Sequence, residues 1–337
     1  MYRASGVINH VGVAIMGISL CIGTVQAQQK SWPETVAAAK KEGRVMMYFT
    51  PAPQALARIA AGFKKAYPDI ALESYRASGG GIMQKIDQER QSNLDGADVL
   101  MGGDMVWALA RAGEGKLLKP LGPAMKEWPS KYLVAGVIAI PGVEPFGIAY
   151  NKNLVTTPPK SYADLLKPEF KGKLGISDLS SISMHAYYDW LEKTQPPGFL
   201  LKLRAQNPKV TGNVITLAQS VAAGEFIATP TTVLSGSKPL VDSGAPIAFF
   251  VPSPGFGTNY VLTAFSWSQR PNAALVLMDY LMSAEGQNAW HGNGEGVGML
   301  PGIKGATTAD TVYAWEAKDY PPDVAAKYRA YWNKIFE

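Results

Sequence analysis

The sequence predicts an α/β protein of two lobes, and three observations carry that reading. The chain is 337 residues long, which at roughly 100–200 residues per domain suits two domains. Apolar residues make up 47% and charged residues 18%. That balance excludes an intrinsically disordered chain and, past the first segment, a multi-span membrane protein. Short apolar runs alternate with amphipathic segments, the order that builds a mostly parallel sheet covered on both faces by right-handed crossovers.

The first 27 residues stand apart, with Arg3 as their only charge and an apolar run from Val11 to Val25 closed by Val25-Gln26-Ala27. This reads as a secretory signal peptide, residues 1–27, with a small-residue cleavage site. A membrane anchor would need about 20 apolar residues, and polar Gln28, Gln29 and Lys30 follow at once. Lipidation of Cys21 would want a small residue where Leu20 stands. Cleavage would remove the single cysteine of the chain. The mature protein would then have no disulfide framework, no thiolate nucleophile and no cysteine metal site.

Ser31-Trp32-Pro33-Glu34 is a capping-box start, and a helix runs from Thr35 to Glu42 before Gly43 stops it. Arg44–Phe49 is a short apolar strand bounded by Thr50-Pro51-Ala52-Pro53. Leu56, Ile59, Ala60, Phe63 and Tyr67 share a helix face that ends before Pro68. Strand 70–75, the turn Ser78-Gly79-Gly80-Gly81, a helix from Ile82 to about Gln91, strand 97–101 and a helix opening at Asp104 continue the alternation. After a Pro- and Gly-richer stretch at 120–146, a second α/β unit begins with strand 146–150. A helix near 161–166, strand 174–177 and a long helix from about Ser181 to Thr194 follow. Apolar runs at 247–251 and 260–265, separated by a Pro/Gly linker, would carry the chain back to the first lobe; helices at 271–283 and 323–336 finish it. The expected division is 28–140 plus about 250–300 for the first lobe, and about 141–249 plus 301–337 for the second.

Ligands of open parallel sheets collect beyond the carboxyl ends of the strands. Four such loops share a small, hydroxyl- and glycine-bearing chemistry: Thr50-Pro51-Ala52-Pro53, Ser78-Gly79-Gly80-Gly81, Gly102-Gly103-Asp104 and Asp178-Leu179-Ser180-Ser181. Three precede helices, whose first N–H groups lack backbone partners and whose positive dipole end attracts anions. A serine or aspartate before a helix is ordinarily only a cap, and glycines ordinarily make turns. The case for a site is therefore the convergence of four loops. Three successive glycines at 79–81 would let a ligand reach backbone donors unobstructed.

An enzyme has little to work with. His185 lies in an apolar, aromatic helix and His291 at a helix end, far apart and without metal-ligand spacing. Gly292-Asn293-Gly294-Glu295-Gly296-Val297-Gly298 follows a helix rather than a strand, so it is a loop and no dinucleotide fingerprint. The formal charge of +5 comes from 32 basic residues spread among 27 acidic ones, which gives no nucleic-acid stripe. No cofactor is expected.

Taken in order, several segments carry a resemblance: Val36 to Gly43 followed by Val45 to Tyr48, Ala97-Asp98-Val99-Leu100, Gly147 to Lys152, Pro159 to Leu166 through Gly172-Lys173-Leu174, and Ala273 to Gln287. The chain resembles the periplasmic solute-binding proteins of ABC importers, in the group that includes ferric-iron, thiamine and phosphonate receptors. The resemblance implies the two-lobed type II binding-protein fold, with two mostly parallel sheets joined by crossing hinge strands. It further implies a non-enzymatic monomer in the periplasm that closes on a solute and docks on a membrane permease.

Ferric receptors of the group carry a tyrosine pair in a second-lobe loop, where this chain has Thr231-Thr232, and often a histidine after the first strand, where it has Thr50-Pro51. Ferric iron prefers anionic oxygen ligands, and Asp104 is the only carboxylate near the third loop. Iron is thus the alternative. The favoured ligand is a small organic anion: carboxylate, phosphonate, phosphate ester or sulfonate. It would be held by the hydroxyls of Thr50, Ser78, Ser180, Ser181, Thr231 and Thr232 and the N–H groups of Gly79, Gly80 and Gly81. Arg76 either adds charge or is a solvated strand end. Trp107 and Tyr150 either wall the ligand or pack in the core.

Overall fold

A computed structural model describes residues 1–2, 30–77, 79–303 and 312–337. The chain runs through α1 (Trp32–Glu42), β1 (Arg44–Phe49), α2 (Pro53–Ala66), β2 (Ala71–Arg76), α3 (Gly79–Gln91), β3 (Val99–Gly102), α4 (Met105–Gly113), α5 (Pro123–Glu127), β4 (Leu133–Val134) and β5 (Ile138–Ala139). It continues with β6 (Gly142–Asn151), β7 (Gly175–Ser177), α6 (Ile182–Thr194), α7 (Phe199–Ala205), β8 (Lys209–Thr211), α8 (Val214–Ala223), β9 (Ala228–Val233), α9 (Leu234–Asp242), β10 (Ile247–Phe250) and β11 (Gly255–Asn259). It ends with β12 (Val261–Ala264), α10 (Pro271–Met282), α11 (Ala284–His291), β13 (Val297–Gly298), β14 (Val312–Ala314) and α12 (Pro322–Phe336).

The first lobe is built on the sheet β2-β1-β3-β12-β5-β4. Strands β1, β2 and β3 are parallel, and their residues Val45, Met47, Phe49, Val99, Leu100 and Met101 are fully buried. The apolar run of β1 is thus a central strand covered on both faces. The buried side of α1 packs on α10, and α2 packs on α11. The second lobe uses β10-β6-β11-β14, with β9 and β13 also paired to β6, and a small parallel pair of β7 and β8. Its core holds Phe146, Ile148, Tyr187, Tyr188 and Phe256 together with Trp315 and Trp332 from the end of the chain.

Both sheets are mixed, whereas the sequence pointed to mostly parallel ones. The chain enters the second lobe along β6, which pairs antiparallel with β9, β10, β11 and β13, and returns along β12, which pairs antiparallel with β3 and β5. A strand that crosses from one sheet to the other has no helical crossover to turn it around, so it runs against its neighbours. The return also lies later than about residue 250. The segment read as a Pro/Gly linker contains β11, a strand of the second sheet, and the crossing falls at Tyr260. The two crossings lie side by side: Asn259 is in register with Val143, and the Tyr260 N–H donates to the Gly142 carbonyl at 2.9 Å. They form the hinge between the lobes.

An ionic knot anchors the Ala97–Leu100 segment. Asp98 is 1% exposed and accepts from the Met46 N–H at 2.7 Å, Ser268 Oγ at 2.6 Å and Arg270 Nε at 2.7 Å. Arg270 also pairs with Asp95, so the buried charges are matched and hydrogen-bonded, the condition under which they are tolerated.

Candidate functional site

All four strand-end loops meet at one cleft. A cavity of about 430 Å³ lies between the lobes, with Thr50, Gly80, Gly103 and Asp104 on the first-lobe side and Ser180 and Ser181 on the second. The loops touch across it. Ser183 Oγ donates to the Gly103 carbonyl at 3.4 Å, and a Cβ added at Gly80 would lie 3.3 Å from the Ser180 carbonyl. Glycine at 80 therefore permits this approach. Phe146, Val214, Ile215 and Val233 supply an apolar wall from the second lobe. Such a concave, part-apolar volume with a few polar groups is the usual form of a small-molecule site.

Local sequence explains each polar group. Asp104 caps α4 by accepting from the Trp107 N–H at 2.8 Å. Burial raises its carboxyl above the usual range, and the Trp107 and Val106 N–H groups pull the other way. On the other wall α6 begins at Ile182 after Ser181, whose side chain forms no cap. The N–H groups of Ile182 and Ser183 have no acceptor among the described residues, so the positive end of a 13-residue helix faces the cavity. Arg329, on α12, lines the same side and donates to the Leu179 carbonyl at 3.0 Å. His185 Nδ1 lies 2.9 Å from the Ser181 carbonyl. Burial first, and Arg329 beside it, lower its pKa and favour the neutral ring.

The hinge forms the floor. Glu144, on β6, is 3% exposed. Its Oε1 accepts from the Ser235 N–H at 3.0 Å and its Oε2 from the Tyr260 hydroxyl at 2.6 Å. Burial raises its carboxyl to about 7, although those two donors oppose the rise. Tyr260 is pushed well above its ordinary value, by burial first and the neighbouring carboxylate next.

The other residues singled out from sequence lie elsewhere. Thr231 and Thr232 are fully buried in β9. Thr231 Oγ1 accepts from the Ser177 N–H at 2.8 Å, and Thr232 Oγ1 donates to the Val214 carbonyl at 2.8 Å, so both hydroxyls brace the second sheet. Gly79 to Gly81 open α3 instead of forming a turn before it; Gly80 reaches the cavity, while Gly81 does not line it. Pro51 is buried behind the cleft and its carbonyl accepts from Arg76 Nε at 2.7 Å. Arg76 turns into an adjoining recess of about 220 Å³ that shares Ile215 and Ser235 with the main cavity. Trp107 points away, its Nε1 donating to Asp87 at 3.0 Å and its ring edge-on to Phe265. Tyr150 packs against the second core. Ser78 and the segment 1–27, Cys21 included, lie outside the described residues, apart from Met1 and Tyr2.

Sequence reasoning missed Glu144, Ser235, Thr258, Tyr260 and Arg329. Glu144 alone left a signal: it is a single acid inside the buried run Gly142 to Asn151, and an isolated charge in a core strand marks a functional candidate. The adjacent pair Tyr187-Tyr188 lies inside α6 and is fully buried. The hydroxyls are spent on the Pro230 and Ser177 carbonyls. Among the described residues no group of three or more His, Cys, Asp or Glu is placed to hold a metal ion, and no helix is long and apolar enough to cross a membrane.

The fold is shared with solved binding proteins. The substrate binding protein of an ABC transporter from Agrobacterium tumefaciens superposes with a TM-score of 0.77 at 17% identity, covering 88% of this chain and 96% of its own. Iron-bound HitA from Pseudomonas aeruginosa gives 0.69 at 16% identity, with coverage of 87% and 99%. The periplasmic binding protein AfuA from Actinobacillus pleuropneumoniae, bound to fructose-6-phosphate, gives 0.66 at 20% identity, with coverage of 88% and 99%. At such identities the likeness concerns the two-lobed architecture. No curated protein matches the sequence. Residues 58–321 match the family model of the bacterial extracellular solute-binding proteins, and with most of both lobes inside that match the chain belongs to this family.

Proposed function

We propose that the protein is the exported receptor of an ABC importer and that it captures a small organic anion with an apolar body by closing its lobes. The observation that carries this reading is the convergence of the four strand-end loops, three from the first sheet and one from the β7–β8 pair of the second lobe, on one part-apolar cavity. A ligand favours the closed state only through contacts it makes with both lobes at once, and this cavity offers Thr50 and Gly80 on one side and Ser180 and Ser181 on the other. The anionic end is assigned to the start of α6, where uncapped N–H groups and Arg329 face the cavity. The apolar body would lie on Phe146, Val214, Ile215 and Val233. Export to the periplasm and delivery to a permease complete the reading, and membership of the extracellular solute-binding family supports them.

Two of the proteins similar in fold bind iron and a sugar phosphate respectively. The donors here favour the organic solute. The cavity tyrosine hydroxyl is engaged by Glu144, and hard ferric ion wants several anionic oxygens. Titration calorimetry with short-chain carboxylates, phosphonates, sulfonates and phosphate esters, and separately with ferric citrate, tests the reading. The expected result is heat of binding for at least one organic anion, lost in Ile215→Trp, which fills the cavity. Tight ferric binding with silence from every organic anion would overturn it, as would binding that Ile215→Trp leaves unchanged.

A further inference from the structure

The hinge floor of the cavity presents acceptors where the opposite wall presents donors. Glu144 is buried, lines the cavity and is met by neutral donors, the Ser235 N–H, the Tyr260 hydroxyl and, more loosely, the Ser235 hydroxyl. It forms no ion pair among the described residues. Arg76 acts on the Tyr260 hydroxyl from the adjoining recess and donates its Nε to the Pro51 carbonyl, but among the described residues no hydrogen bond or ion pair joins it to Glu144. Glu295 adds negative potential, and its own carboxylate is taken by Arg58. Beside Glu144 stands a second, independent feature. Ser235 is 3% exposed and lines the cavity. Its Oγ lies close enough to influence the carboxyl and the tyrosine, yet it makes no hydrogen bond of normal length and angle.

A buried carboxylate without a counter-ion is costly, and a buried hydroxyl held only by a poorly aligned contact adds to the cost. Both are relieved by one kind of group, a compact cation carrying several N–H donors. A second anion placed here would be repelled, and a plain hydroxyl would leave the charge of Glu144 unbalanced. Resting on the receptor reading above, which puts the anionic end of the solute at α6 and Arg329, we propose that Glu144 is a specificity-determining residue that reads a protonated amine on the other end. The solute class is then an amphoteric one: an ω-amino carboxylate, phosphonate or sulfonate whose short apolar chain spans the cleft from hinge to helix. Closure brings the ammonium onto Glu144 and Ser235 Oγ as the anion meets the uncapped N–H groups of Ile182 and Ser183.

Matched pairs of compounds test this: 4-aminobutyrate against butyrate, 3-aminopropylphosphonate against propylphosphonate, and 3-aminopropanesulfonate against propanesulfonate. Each is titrated into the full-length mature protein by calorimetry and checked by thermal shift. A charge-assisted hydrogen bond to a buried carboxylate predicts that the amino member of at least one pair binds roughly tenfold or more tightly than its partner. Glu144→Gln should bring the two members together by weakening the amine-bearing one. Ser235→Ala, which keeps the carboxylate, should weaken the same compound by a smaller factor and leave the preference in place. Equal or tighter binding of the amine-free members overturns the proposal while leaving the anion receptor standing, and so does a preference that survives in Glu144→Gln. Silence from both members of every pair overturns it together with the receptor reading for these anion classes.

Discussion

Glu144 should make the stability of the protein depend on pH in a way that one substitution isolates. Its carboxyl titrates near 4.5 when unfolded and at about 7 in the fold, chiefly because burial penalises the charged form. An acid whose folded pKa is the higher one holds its proton more tightly in the native state, so stability falls as pH rises. The loss begins above about 4.5 and is complete once pH has passed about 7. At 1.36 kcal/mol per pH unit the full effect is about 3 kcal/mol, of which about 2.5 kcal/mol falls between pH 5 and pH 8. Glu144→Gln does not titrate, keeps the shape of the side chain and sacrifices one of the two acceptors. That sacrifice is the same at every pH, and the other titrating groups are common to both proteins. Urea denaturation followed by tryptophan fluorescence, run on both proteins at pH 5 and pH 8 without added solute, measures the difference. Relative to wild type, the variant should gain about 2.5 kcal/mol at the higher pH. A stability difference that is the same at both pH values, or that moves toward the wild type, would refute the account of Glu144 as a buried, unpaired acid.

Three further outcomes follow from the packing. Asp98→Ala should destabilise by roughly 1–3 kcal/mol, since it leaves the Met46 N–H and Arg270 Nε without their acceptor while Asp95 still holds the rest of the guanidinium; the midpoint of urea unfolding reports it. Gly122→Ala should lower the same midpoint by the equivalent of roughly 1–3 kcal/mol of backbone strain, because Gly122 has φ +130° and an added Cβ would fall on the Asp279 carboxylate that caps Ala124 and Met125. Tyr187→Phe should cost roughly 1–2 kcal/mol, through the Pro230 carbonyl and Tyr162 hydroxyl left behind at 2.6 and 2.8 Å. Calorimetric affinity for any bound solute should be unchanged in this variant, as Tyr187 does not line the cavity.

Elements with a strong local signal were legible in the sequence. Arg44–Phe49 is a strand over its whole expected length, and the helix expected from about Ser181 to Thr194 forms from Ile182 to Thr194, because apolar runs and caps act over a few residues. Thr50, Gly80, Asp104, Ser180 and Ser181, singled out by their shared position after strands, line one cavity. Thr231 and Thr232 were misplaced because a β-branched hydroxyl in a loop and one in a strand look alike in sequence; the partner of each is another backbone group, 54 and 18 residues away. Strand β11 was hidden in a Pro/Gly-rich stretch, since its pairing with β6 lies in distant residues.

Composition, strand and helix periodicity and the chemistry of four loops were enough to fix an α/β chain whose strand ends carry small loops rich in hydroxyls and glycine, since each depends on neighbours in sequence. Which loops face one another, that β6 and the Asn259–Val261 crossing lie antiparallel as a hinge, and that Glu144, Tyr260 and Ser235 gather beneath the cleft were decided only by the tertiary structure. Glu144 and Tyr260 are 116 residues apart. Such a contact is specified by the packing of two sheets, and no local pattern encodes it.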